Sequence, residues 1–115
     1  MNLLEKYSQT LNNIYKKKEV LSIIIFGSHS KNIVKPLSDL DICIIFKENS
    51  SDDVITSVLA YGNEELDVVA FHKMPLSLQF EIMVQGEIYK SKISLFDLKI
   101  KTTNKWFDFK PILNR

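Results

Sequence analysis

Three short, largely β-branched runs set the frame for this chain: Leu21–Phe26, Asp39–Phe46 and Leu66–Phe71. The first is stopped by Gly27, and Pro36 breaks the chain ahead of the second, so each reads as a buried strand rather than part of a helix. Around them the apolar residues recur at helical spacing. Leu3, Leu4, Tyr7, Leu11, Ile14 and Tyr15 predict an amphipathic helix over residues 2–18, whose basic end (Lys16, Lys17, Lys18) suits the negative pole of the helix dipole. Residues 28–33 predict one helical turn. Ser50 or Ser51 caps a helix with Asp52 and Asp53 in its first turn and Val54, Ile55, Val58 and Leu59 on its face, and Gly62 ends it. Pro75 suits the first turn of a further helix that buries Leu78, Ile82 and Met83 and stops at Gly86. Residues 87–90 form a short fourth strand. Ser94 and Asp97 open a last helix carrying Leu95, Leu98, Trp106 and Phe107. The order α-β-α-β-α-β-α-β-α predicts an α/β (α+β) domain: a small mixed sheet of about four strands flanked by helices.

Acidic residues inside two of these strands point to chemistry. Asp39 and Asp41 flank Leu40 at the start of the second strand, on one face and about 7 Å apart along the backbone. Asp67 is the charged residue among the apolar ones of the third strand. If those two strands are neighbours in register, Asp67 joins the same face. Such carboxylates repel one another, and a divalent cation removes the repulsion; hard oxygen ligands select magnesium or manganese over zinc. Phosphoryl and nucleotidyl transfer need this arrangement, with two metals about 3.5–4 Å apart holding the attacking oxygen and the leaving pyrophosphate. Asp39 and Asp41 then hold the metal on the triphosphate side and bridge to the second. Asp67 completes the second site and helps deprotonate the acceptor hydroxyl.

Gly27-Ser28, at the end of the first strand, supplies the other half. Glycine lets the backbone approach a phosphate, and the Ser28 hydroxyl and the free N–H groups of the next turn bind its oxygens. Lys31 is placed to neutralise triphosphate charge. A Gly-Ser turn alone carries little, but the joint pattern does. Matching four residue types at roughly 5–7% usage each over about 100 windows occurs by chance on the order of once in several hundred.

Composition closes off other classes. Fifteen basic and fourteen acidic residues leave a formal charge of +1, without the field of a nucleic-acid binder. With two histidines and one cysteine no zinc site is credible; His29 and His72 read as surface positions and Cys43 as a small buried hydrophobe. No Walker loop and no serine or cysteine triad signature is present. No apolar run approaches the roughly 20 residues of a membrane span, and a cytoplasmic setting is expected.

The segment GSHSKNIVKPLSDLDI and the later ELDVVAF resemble the polymerase-beta-like nucleotidyltransferase superfamily, and specifically its minimal nucleotidyltransferase (MNT) branch. The resemblance runs from Leu21 to about Lys90 and includes QGEIYK, which is similar to the family's C-terminal hairpin-like stretch. One departure is that Lys31 is followed by Asn32 where many members have glycine; asparagine tolerates left-handed backbone angles, so the turn can survive. The resemblance implies one minimal domain over residues 1–115. It also implies that the chain is the antitoxin of a HEPN-type toxin, attaching AMP from ATP to a tyrosine of that partner with two magnesium ions. Two other readings stay open: a non-catalytic antitoxin that works by binding alone, and a small-molecule nucleotidyltransferase whose homodimer builds a pocket across subunits.

Overall fold

A computed structural model describes residues 2–27 and 39–113, with side chains described as far as Phe109. The elements run α1 (Leu3–Tyr15), β1 (Val20–Phe26), β2 (Leu40–Phe46), α2 (Asp52–Leu59), β3 (Leu66–Ala70), a single 3-10 turn (Phe71–Lys73), α3 (Leu76–Gln85), β4 (Glu87–Ser91) and α4 (Phe96–Leu113). The four strands form one mixed sheet in the order β3-β2-β1-β4. β1 is antiparallel to both β2 and β4, whereas β2 and β3 are parallel. A parallel neighbour requires a crossover, and α2 provides it.

Alternation along the strands divides the core in two. Ile23 and Ile25 of β1, Leu40, Ile42 and Ile44 of β2, and Leu66, Val68 and Ala70 of β3 meet Leu11 and Ile14 of α1 and Ile55 and Val58 of α2. Ile24, Cys43 and Ile45 meet Ile82 and Met83 of α3, with Leu78, Leu95 and Leu98 packed against them. Burying each of these aliphatic side chains contributes about 1.5–3 kcal/mol. Helices therefore cover both faces, as the strand pattern predicts.

The local boundaries follow from capping chemistry. The Asn2 side chain accepts from the Glu5 N–H at 2.8 Å and starts α1. That helix stops at Tyr15, with Lys16 as its C-cap, so Lys17 and Lys18 lie past its end rather than in its last turn. Ser51 is the cap of α2, accepting from the Val54 N–H. α2 ends at an Ala60 cap, before Gly62. β3 is one residue shorter than predicted, because Phe71 turns into the 3-10 turn and buries its ring between the sheet and α3. Pro75 is the N-cap of α3, one position ahead of the first turn predicted for it, whereas Gly86 ends that helix as the sequence predicts, and β4 takes up residues 87–90 plus Ser91. The helical turn predicted for residues 28–33 lies outside the described residues. Among the described residues no helix is long and apolar enough to cross a membrane.

Candidate active site

Two strand pairings build the site. The antiparallel ladder sets Phe26 opposite Asp41, and the parallel ladder sets Asp41 opposite Asp67. One rung of the sheet thus reads Phe26, Asp41, Asp67. The two aspartates stand on adjacent strands whose backbones are about 4.8 Å apart. By alternation they share a face with Cys43 and Val69, the face covered by α3 and α4. Asp41 is half-buried and Asp67 exposed, so the rung opens to solvent at its β3 side.

Gly27 closes the other side. It leaves β1 with φ +75°, in the left-handed region. A Cβ added there would lie 2.5 Å from Asp41 Oδ2 and 3.4 Å from its Cγ. Glycine is therefore required twice over, by the backbone angle and by the carboxylate seated against its α-carbon. The turn after β1 and the first acid of β2 form one unit.

The start of β3, and with it Asp67, is held by a polar cluster. The Asn63 side-chain oxygen accepts from the N–H groups of Glu65 and Leu66 at 2.8 and 3.1 Å, a side-chain turn that aims the chain into the strand. The Glu65 carbonyl accepts from the Leu40 N–H at 2.8 Å, tying the starts of β2 and β3 together. The Glu65 carboxylate accepts from Lys6 Nζ at 2.6 Å and from the Tyr7 hydroxyl at 2.9 Å, which anchors α1 to the same corner. The hydrogen bond from Lys6, then that from Tyr7, holds the Glu65 carboxyl below its usual range, and the same pairing raises the Lys6 ammonium.

Comparison with known proteins identifies the family. The family described as Polymerase beta, Nucleotidyltransferase matches residues 9–102. The chain belongs to this nucleotidyltransferase family. It is 25% identical over 94 residues to a protein of Methanocaldococcus jannaschii provisionally named a protein adenylyltransferase, covering 82% of this chain and 70% of that relative. Two solved structures share the nucleotidyltransferase fold. One, a toxin-antitoxin crystal structure with AMP-PNP, gives a TM-score of 0.70 at 15% identity, covering 90% of this chain and 89% of the other. The second, a tri-AMPylated Shewanella oneidensis HEPN toxin in complex with MNT antitoxin, gives 0.66 at 14% identity, covering 95% and 91%.

Of the residues the nucleotidyltransferase motif singles out, the structure brings together Gly27, Asp41 and Asp67. Asp39 is exposed, immediately ahead of β2. Ser28 and Lys31 lie outside the described residues. Among the described residues, no three carboxylate, imidazole or thiol groups are gathered closely enough to hold a metal ion. The donor chemistry nevertheless fits a hard cation: two carboxylates on one rung, with a third acid two residues upstream of Asp41. Cys43 takes no part, since burial pushes its thiol up to about 12. Sequence reasoning missed Asn63 and the Lys6–Tyr7–Glu65 corner. The first had a readable signal, an Asn three residues ahead of a strand; the second joins residues 58 and 59 positions apart and had none.

Proposed function

We propose that this chain transfers AMP from ATP to a tyrosine hydroxyl of a HEPN-type partner and acts as that partner's antitoxin. The observation that carries the proposal is the rung that pairs Asp41 with Asp67 while Asp41 rests on the bare α-carbon of Gly27. The family membership supports nucleotidyl transfer. The name of the Methanocaldococcus jannaschii relative supports a protein acceptor, and the two similar solved structures, one with AMP-PNP and one with an AMPylated HEPN toxin, support the nucleotide and the partner.

In this mechanism Gly27 lets the backbone approach the triphosphate, and Ser28 and Lys31 bind its oxygens. Asp39, Asp41 and Asp67 would hold two magnesium ions, which would neutralise charge on the triphosphate and the departing pyrophosphate. The acceptor oxygen attacks the α-phosphorus and a new P–O bond forms. The bond from that phosphorus to the α,β-bridging oxygen breaks, and pyrophosphate leaves with the electron pair. Asp67, at the solvent side of the rung, takes the hydroxyl proton.

The test is transfer of label from α-phosphate-labelled ATP, with magnesium, onto the co-purified HEPN partner. The expected result is label on the partner, lost when a Tyr acceptor is removed and lost in the Asp39→Asn/Asp41→Asn double variant. A tight complex with no label in the wild type would instead favour neutralisation by binding alone.

A further inference from the structure

At the opposite end of β2 from the acidic rung, a cavity of about 300 Å³ lies between the sheet, the 3-10 turn and α4. Its floor is apolar, made of Ile45, Phe71 and Leu98. Its rim is cationic and polar: Lys101 and Lys105 are one helical turn apart on α4, facing His72 and Gln79. Thr102, between the two lysines in sequence, lines the same cavity at 3% exposure. Among the described residues its hydroxyl has no hydrogen-bond partner, and neither lysine is in an ion pair. A buried hydroxyl without a partner carries a desolvation penalty that a bound ligand would relieve.

The geometry points to a second binding site here, for a small phosphomonoester with an apolar or aromatic body. Two ammonium groups and a hydroxyl donor suit a doubly charged phosphate. A planar carboxylate is better recognised by the fork of a guanidinium, and none lines this cavity. The apolar floor provides for the organic part, and the volume is at the lower end of the range for small-ligand pockets. Phe46 stands edge-on to the His72 ring, with centroids 6.1 Å apart, and forms one wall. Phe46 stands five residue steps along β2 from Asp41, about 17 Å, so this site is not part of the nucleotidyl-transfer site.

The test is titration of the full chain with phenyl phosphate, followed through the His72 imidazole and Thr102 amide resonances, beside inorganic phosphate and benzoate. Saturable shifts centred on His72, Thr102 and Lys105 are expected, with weaker binding of the other two probes. Lys101→Glu/Lys105→Glu should weaken phenyl phosphate at least about tenfold, as should rising salt in part. Thr102→Val, which keeps the side-chain shape, should weaken it several-fold with the fold unchanged. Asp41→Asn should leave it intact. The proposal is overturned if no saturable shift occurs or if the shifts centre on Gly27, Asp41 and Asp67. It is equally overturned if charge reversal has no effect in a folded variant, or if inorganic phosphate or benzoate binds as tightly as phenyl phosphate.

Discussion

The two faces of the central sheet are built from the same strands and differ by one step of alternation. On the face under α1 and α2, β2 presents Leu40, Ile42 and Ile44 and β3 presents Leu66, Val68 and Ala70, all buried. On the face under α3 and α4, the same strands present Asp41, Cys43 and Ile45, and Asp67 and Val69, so each begins with an acid and continues apolar. The first face is a closed core. The second is a core for most of its length and a polar site at one end. Fold and chemistry are thus separated by side-chain parity rather than by distance: Ile42 is Asp41's chain neighbour yet belongs to the other layer.

That separation can be broken from either side. Asp41→Asn should lower nucleotidyl transfer on the order of a thousandfold, while thermal unfolding moves little; an active variant would sink the role given to Asp41. Ile42→Ala, one residue away, should do the reverse. Removing a fully buried side chain should cost about 3 kcal/mol of stability, read from the denaturant midpoint, with transfer retained in the folded fraction.

Gly27→Ala couples the two faces. Its Cβ would collide with the Asp41 carboxylate and its backbone would stay at φ +75°, so it should cost about 2 kcal/mol and also depress transfer. A neutral outcome in both assays would show that the turn is not locked to the acid. The smallest effect belongs to the exposed Lys6–Glu65 contact. Because the folded-state value of Glu65 is depressed, its contribution is present above the ordinary value of 4.5 and fades as pH falls through the lower folded value. The stability difference between wild type and Glu65→Gln, followed by denaturation against pH, should therefore shrink on acidification and also in high salt.

Much of this was readable from the residues, for physical reasons. Strand cores are marked by β-branched runs whose limits turn residues enforce, so β1, β2 and β4 fall within a residue of expectation. Ends set by tertiary contact were less legible. α1 stops at Tyr15 although the helical pattern with its lysines continues to Lys18, and Phe71 leaves its strand because its ring finds a pocket under α3. The expectation that Asp67 shares a face with Asp41 required β2 and β3 to be neighbours in register, and they are. Their parallel sense, and the seating of Asp41 on Gly27, depend on how distant strands meet, which no local pattern encodes. The Gly-Ser turn itself was legible as a motif, but Ser28 and Lys31 lie outside the described residues.

The central claim is that the acid-bearing end of one face works as a metal-assisted site. The measurement that tests it most directly is paramagnetic broadening of backbone amide signals by substoichiometric manganese in the presence of a nonhydrolysable ATP analogue. The account predicts broadening centred on Gly27, Asp41 and Asp67, absent for Ile42→Ala only if that variant unfolds, and abolished in folded Asp41→Asn. Broadening centred elsewhere, or unchanged by Asp41→Asn, would contradict it.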